Sequence, residues 1–263
     1  MRTICTLLLF AISSTLTEAA DGPLDWKPLP KLPDSLGVAG PFVGVHNEAL
    51  IVAGGANFPT DEGEDLWKAK KQWHDEVWVL TRDGQGGFTW RGGFRLPYSV
   101  GYGTVASTRF GVACLGGEDG RQVFDQAFLL TWSPEKQAIA TRSLPNLPRP
   151  MAFGAAAAIG DVVYVFGGQV DRTLDSAKAD FWRMDLSVLD GSGQPQWEPL
   201  PPRPGPARAL PVVAAQHNGF EPCVYIMGGR HVADAPAAGM DIVPLNDIYE
   251  FCPQRYDPTA YDP

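Results

Sequence analysis

The chain alternates between short apolar runs and polar connections that are rich in glycine and proline. Four of the apolar runs end in a pair of glycines, and these pairs stand at residues 54–55, 116–117, 167–168 and 228–229. The runs have the length of buried β-strands, and no long segment shows the 3.6-residue spacing of an amphipathic helix. The pattern therefore predicts an all-β fold that is built from short strands.

The glycine pairs recur about every 50 to 60 residues, which is the spacing of a structural repeat. A repeat of this length with a strand that ends in Gly-Gly is typical of the kelch motif, in which each repeat folds as one four-stranded blade of a β-propeller. The sequence therefore predicts a kelch-type β-propeller over residues 21–263.

The remaining apolar segments divide this region into four blades, of which three have four strands and the last has three. The predicted strands are 40–46, 48–55, 74–80 and 88–91; 101–108, 110–117, 124–131 and 138–143; 151–159, 162–168, 179–186 and 196–200; and 209–217, 222–229 and 245–251.

A tryptophan-containing segment at residues 24–33 reads like the last strand of a blade, although it precedes the first one. Two alternatives follow. Either this strand completes the fourth blade and closes a four-bladed ring, or the chain is a fragment of a six-bladed ring. The polar, proline-rich residues 256–263 read like a loop before another strand, which favours the fragment.

The N-terminus has the pattern of a signal peptide. A basic start at Arg2 is followed by an apolar run over residues 4–12 and by small residues at Ala19 and Ala20. The run is too short to remain as a membrane anchor. We therefore expect residues 1–20 to be removed and the mature chain to be exported, to the periplasm or beyond, without membrane attachment.

Charge and cysteine content narrow the possible partners. The net charge of −9 argues against nucleic acid and anionic membranes, which both require a basic face. Outside the signal segment the cysteines are Cys114, Cys223 and Cys252. Cys223 and Cys252 fall on consecutive strands of the fourth blade and are the one plausible disulfide, whereas the alternative is three free thiols. No Cys-x-x-Cys pair is present, so a zinc or redox site has no support from the sequence. The oligomeric state is left open.

Polar residues follow each glycine pair, at the ends of the second strands. They are Asn57, Glu118, Gln169, Arg230 and His231. In a propeller the loops after these strands surround the central channel on one face, so these side chains are expected to converge on one rim and to bind a ligand there.

Two arginines, Arg149 and Arg208, stand just before predicted inner strands. They would either hold the carboxylate of a ligand or stabilise the blades internally. Lys68, Lys70, Lys71 and His74 lie in the insert of the first blade, which would either cover the rim or be a solvated loop.

Residues 37–58 resemble the N-acetylneuraminate epimerase (sialic acid mutarotase) family of kelch proteins. Residues 67–78 are similar to the lysine-rich insert of that family, and residues 97–103 and 115–118 continue the match. In the best-known form of the family these blades end the chain, whereas here they come first. The resemblance is therefore closer to the cyclically permuted, mutarotase-like branch.

This resemblance implies an isomerase that accelerates exchange between the anomers of N-acetylneuraminate, with a small anionic sugar as partner and no cofactor. The family uses a glutamate as acid/base and an arginine beside it. By blade order these residues would lie beyond residue 263, and Glu118 is the nearest local counterpart as a catalytic residue. The candidate substrate-binding residues follow from their positions on the rim and before the inner strands, and they are Arg208, Arg230, Asn57, Arg149, Gln169 and His231.

The alternative function is a non-catalytic kelch module that binds carbohydrate or protein and has lost its catalytic blade. A copper radical oxidase, which shares the propeller class, is not supported by the four scattered histidines.

Overall fold

The computed structural model describes residues 27–60, 65, 68–201, 204–233 and 242–256. The chain divides into two compact units, Met1–Pro30 and Lys31–Pro263, and all strands of the described residues lie in the second. The predicted signal peptide lies outside the described residues. In the part of the chain that is described, no helix has the length and apolar character needed to cross a membrane.

The second unit contains four consecutive antiparallel sheets, which are the blades. Blade 1 is formed by β1 (Phe42–His46), β2 (Ala49–Ala53), β5 (Glu76–Arg82) and β6 (Phe88–Arg95), with a ribbon of β3 (Ala56–Asn57) and β4 (Gln72–Trp73) between β2 and β5. Blade 2 is formed by β7 (Thr104–Thr108), β8 (Gly111–Leu115), β9 (Ala127–Ser133) and β10 (Ala138–Leu144).

Blade 3 is formed by β11 (Ala155–Ile159), β12 (Val162–Phe166), β13 (Phe181–Asp185) and β14 (Trp197–Pro199). Blade 4 contains β15 (Val212–His217), β16 (Pro222–Met227) and β19 (Ile248–Phe251), with a ribbon of β17 (Arg230–Val232) and β18 (Ile242–Pro244). Short 3₁₀ helices occupy Leu174–Ser176, Ser187–Asp190 and Pro253–Arg255.

The predicted all-β propeller with its four blades is confirmed, and every strand predicted within those blades overlaps an observed one. The observed second strands stop at the residue before each glycine pair, because both glycines have positive φ and turn the backbone out of the sheet. Of the segment proposed to close the ring, residues 24–26 lie outside the described residues and 27–33 form no strand. Ring closure by this segment stays a prediction.

The glycine pairs join neighbouring blades through their backbones. Gly116 donates its N–H to the Gln126 carbonyl in its own blade, whereas Gly117 donates to the Met151 carbonyl at the entrance to blade 3. The same two-way pattern links blade 1 to blade 2 and blade 3 to blade 4, through the bonds Gly55 N–H to Val100 O and Gly168 N–H to Arg208 O. The repeated sequence motif is therefore the joint between blades.

A second set of hydrogen bonds follows the entrances of the inner strands. Tyr102 donates its N–H to the Gly40 carbonyl, Phe153 to that of Tyr102, and Leu210 to that of Phe153, at 2.7 to 2.8 Å. Each of these three donors has a φ between 55° and 58°, a conformation that bulky residues rarely adopt. Such strain persists only where the surroundings fix it, so this belt is a strong constraint on the spacing of the blades.

Apolar side chains fill the spaces between blades. Phe42 of blade 1 packs edge to face on Phe128 of blade 2, and further layers separate blades 2 and 3 and blades 3 and 4. The two terminal blades also present apolar side chains on their outer faces. Val45 on β1 is 52% exposed and Ile248 on β19 is 66% exposed.

We expect the substitution Gly116→Ala to lower the free energy of unfolding by about 2 to 4 kcal/mol, because a strained φ and a steric clash combine. A Cβ atom there would lie 2.2 Å from the Met151 carbonyl oxygen, at a φ of 62°. Gly84→Ala is the control, since nothing lies within 4 Å of its Cβ position. Urea unfolding that ranks the two variants equally would contradict the role of the glycine pair.

His46 gives a prediction about pH. Its Nδ1 accepts the Trp132 N–H of blade 2, and burial lowers its pKa below the ordinary value of 6.5. A depressed pKa means that neutral His46 stabilises the fold above pH 6.5 and that this contribution is lost as the pH falls through the folded-state value. We expect His46→Gln to flatten the pH dependence of the free energy of unfolding between about pH 7 and 5. A His46→Gln chain that keeps the wild-type slope over this range would contradict the assignment.

Candidate functional site

The loops after the second strands lie on the same side of the blades as the entrances to the inner strands. In each blade, the residue after the glycine pair forms a β-bridge with the residue before the belt position; the bridges are Ala39–Ala56, Gly101–Glu118, Ala152–Gln169 and Ala209–Arg230. Glu118, Gln169 and Arg230 are thus equivalent positions. Asn57 and His231 lie one residue further along their loops. The structure therefore places all five predicted rim residues on one face.

Glu118 is the carboxylate among these positions, and it is held from two blades. Its backbone pairs with Gly101 in blade 2, and its Oε2 atom accepts a hydrogen bond from Nε of Arg172 at 3.2 Å. Arg172 lies in the loop that follows Gly167 and Gly168 of blade 3. The Glu118 side chain is only 6% exposed, whereas that of Arg172 is 54% exposed. The pair thus combines a buried carboxylate with an accessible cation.

The loop that carries Arg172 is ordered by its own polar side chains. The Asp171 carboxylate accepts hydrogen bonds from the backbone N–H and the hydroxyl of Thr173, and these bonds hold the pKa of Asp171 below its usual range. The Ser176 hydroxyl in turn accepts the Asp171 N–H at 3.2 Å. The loop therefore presents Arg172 in a defined position.

A cleft of about 510 Å³ lies between the loops of blades 1 and 2, and the residues that directly follow Glu118 in sequence are part of its lining. It is lined by Lys70, Lys71, Gln72, Trp73, Tyr98, Ser99, Asp119, Gly120 and Arg121. Three cations and one carboxylate line it, although the whole chain carries a net charge of −9. The local charge of the cleft is therefore suited to an anionic ligand.

Two features of the cleft indicate a ligand of mixed character. The Lys71 ammonium lies 4.1 Å from the centre of the Tyr102 ring and 5.0 Å from that of Trp73. Within the described residues, Trp73 Nε1 and the Tyr98 hydroxyl are buried without a hydrogen-bond partner. Burial raises the pKa of Tyr98 to about 12, so its hydroxyl stays protonated and can donate. Unpaired buried donors are costly, and a bound ligand would satisfy them.

Other predicted residues have structural partners. Asn57 accepts a hydrogen bond from His74 Nε2 at 2.7 Å and donates to the Gly37 carbonyl at 3.0 Å, which ties the insert to the first blade. Gln169 is buried, and its backbone bridges Ala152 and Ala177. His231 lines a separate cleft between the loops of blades 3 and 4. Arg230 keeps a buried Nε without a partner in the described chain.

Of the two roles predicted for Arg149 and Arg208, the structure shows the internal one, in which each arginine pairs with a carboxylate of its own blade. The Arg208 guanidinium is fully buried, donates to the Gly228 carbonyl at 2.7 Å and forms a two-point ion pair with Asp247. Arg149 pairs with Asp180 at the equivalent place in blade 3 and lies 5.1 Å from the Trp182 ring. Asp180 and Asp247 therefore occupy the two arginines that sequence reasoning offered for the ligand carboxylate. Arg172 is an accessible arginine of the rim that this reasoning missed.

The comparisons with known proteins give relatives for part of the chain. Over 113 residues, it is 34% identical to the N-acetylneuraminate epimerase of Yersinia pestis (strain Pestoides F), covering 36% of this chain and 26% of that protein. Over 130 residues, it is 34% identical to the N-acetylneuraminate epimerase of Haemophilus influenzae (strain PittEE), covering 44% and 33%. A match to the Brucella suis protein of the same name is 30% identical over 131 residues, 44% of this chain.

The matched part thus spans 26% to 33% of the length of these curated relatives. A solved structure described as "Structure of YjhT" superposes with a TM-score of 0.67 at 14% identity, covering 89% of this chain and 73% of that one. No protein-family model matches the chain. The predicted resemblance to the N-acetylneuraminate epimerase family is confirmed, as is the fold class; the permuted order and the truncation stay predictions.

Stability measurements separate the two kinds of arginine. Arg208→Ala empties the site of a fully buried guanidinium and removes the ion-pair partner of Asp247, whose side chain is 27% exposed, and we expect a loss of about 2 to 4 kcal/mol in the free energy of unfolding. Arg172→Ala removes a largely exposed guanidinium but leaves the buried Glu118 carboxylate without that partner, and we expect a smaller loss of about 1 to 2 kcal/mol. Urea unfolding of both variants tests this contrast. A large loss for Arg172→Ala would show that it too is a structural residue.

Proposed function

We propose that this chain accelerates the exchange between anomers of N-acetylneuraminate or a closely similar keto sugar acid. The observation that carries the proposal is the pairing of buried Glu118 with accessible Arg172, in a loop whose next three residues line a cationic cleft. The partial relatives named N-acetylneuraminate epimerase support the choice of substrate. Export, predicted from residues 1–20, would bring the protein to sugars outside the cytoplasm.

The chemistry requires one acid/base group. The anomeric hydroxyl gives its proton to a carboxylate, the bond between the anomeric carbon and the ring oxygen breaks, and the ring oxygen receives a proton. The free carbonyl carbon then turns its other face, and the reverse steps close the ring as the second anomer. We assign this role to Glu118, and the assignment is supported by the Arg172 contact, which engages Oε2, whereas Oε1 makes no hydrogen bond within the described residues.

The cations provide the means to hold the substrate. An arginine binds a carboxylate through two parallel hydrogen bonds, and the Arg172 contact with Glu118 uses only Nε. Its terminal nitrogens can therefore take the sugar carboxylate next to the acid/base group. Lys71 and Arg121 add positive charge along the cleft, and the Tyr98 and Trp73 donors can bind hydroxyl groups of the sugar.

A non-catalytic sialic acid-binding module is the second candidate. It is favoured by the limited match, since the aligned segments cover only 26% to 33% of the curated relatives. The aromatic and cationic cleft would serve such a module equally well. Catalysis must therefore be measured separately from binding.

Proton NMR of α-N-acetylneuraminate freshly released by a sialidase tests the proposal. We expect the purified chain to speed the approach to the β anomer above the rate in buffer, and Glu118→Gln to lower this acceleration by about 10² to 10⁴-fold. Glu135→Gln, an exposed substitution in the turn between β9 and β10, is the matched control and should retain the wild-type rate.

The binding of the sugar is measured in parallel by saturation-transfer NMR. Binding without acceleration would reject the isomerase and support the binding module. Acceleration that survives Glu118→Gln would reject Glu118 as the acid/base group.

A further inference from the structure

A second cluster of reactive side chains lies in blade 4, away from the rim. The pairing of β16 with β19 matches Val224 with Phe251, so one step further along the ladder Cys223 stands opposite Cys252. This is the end of the blade where β15 turns into β16, whereas the rim is at the end where β16 leaves into its glycine pair. The cluster is therefore separate from the site around Glu118.

Glu250 completes the cluster. It lies two residues before Cys252 and so points to the same face of the sheet. Its Oε1 atom is 3.2 Å from Sγ of Cys252, and one ligand atom from each of Cys223, Glu250 and Cys252 lies within 4.8 Å of the others. Both cysteines are free thiols. Cys223 is buried, Cys252 is half-buried and Glu250 is exposed, so the cluster is closed on the Cys223 side and open to solvent on the Glu250 side.

Neighbouring side chains fix the carboxylate in this position. The Tyr225 hydroxyl donates to Oε2 of Glu250 at 2.6 Å, which leaves Oε1 directed towards the thiols. The Asn218 amide is 3.4 Å from the same Oε1 atom and 3.9 Å from Sγ of Cys252. Outer hydrogen bonds of this kind orient the ligands of metal sites.

We propose that Cys223, Cys252 and Glu250 form a binding site for one Zn²⁺ ion. Two thiolates and one carboxylate are a ligand set that zinc accepts in tetrahedral geometry, and the exposed side leaves its fourth position to water. Binding releases the two thiol protons, and the ion neutralises the negative charge that the three ligands would otherwise bring together. The ion would join β16 to β19, the outermost strand of blade 4 in the described chain.

Isothermal titration calorimetry with zinc chloride tests the site, on the full chain reduced with a phosphine that does not chelate zinc. We expect one ion per chain and a rise in melting temperature on binding. Cys223→Ser and Cys252→Ser should each abolish the binding. Tyr225→Phe should weaken it about 10- to 100-fold, because it removes only the partner that orients Glu250. Cys114→Ala, which removes a thiol from the core between blades 1 and 2, should bind zinc as the wild type does.

Cobalt substitution gives an independent readout, since thiolate ligands produce a charge-transfer absorption that the serine variants must lose. A reduced wild-type chain that binds no zinc overturns the proposal. Zinc binding that survives in the double variant Cys223→Ser/Cys252→Ser also overturns it. If the reduced chain binds no zinc but air oxidation removes two hydrogen atoms by mass, the pair is a redox disulfide and the metal site is rejected.

Discussion

The hydrogen bond from the second glycine of each of the first three pairs to the next blade is the interaction on which the rest of the structure depends. It requires a backbone conformation that only glycine adopts readily, and it brings a carbonyl of the following blade to within van der Waals contact of the glycine. Residues next to this joint cannot shift relative to one another. Glu118 directly follows the glycine pair 116–117, and Arg172 lies in the loop after the pair 167–168. The backbone of these two joints therefore sets the geometry of the ion pair between blades 2 and 3.

The same joint explains the character of the two terminal blades. In blade 4 the N–H of Gly229 has no backbone acceptor within the described residues, although its counterparts in blades 1 to 3 all bond to a following blade. The adjoining surface exposes Val212 and Ile248, and the outer face of blade 1 exposes Val43 and Val45. The outer faces of blades 1 and 4 thus expose the same kinds of apolar side chain and backbone group that are buried between neighbouring blades. They therefore have the composition of blade-to-blade interfaces.

The fold could be predicted from the sequence because the joints between blades depend on a short local motif, the glycine pair at the end of each second strand. The residues of the rim could be predicted as well, because the residue after each glycine pair occupies the same position in every blade. Sequence reasoning could not identify Arg172, which lies in an irregular loop and meets Glu118 across 54 positions of the chain. The partners of Arg208 and Arg149 were hidden for the same reason. Glu250 was missed because its neighbourhood with Cys223 depends on strand register, which no local motif specifies.

The contrast between the arginines shows how one residue type takes two roles in this fold. Arg208 and Arg149 precede inner strands, where burial removes water and makes an internal carboxylate partner obligatory. Arg172 stands in a loop beyond the strand ends, where water still reaches most of its guanidinium. Arg208 is fully buried and its donors are directed at acceptors inside the protein, so it is not accessible to a ligand. Arg172 uses only its Nε–H to bind the buried Glu118 carboxylate. It thereby orients that carboxylate, and its terminal nitrogens are left to bind an anion. Position relative to the glycine joint therefore decides which arginine can take part in binding.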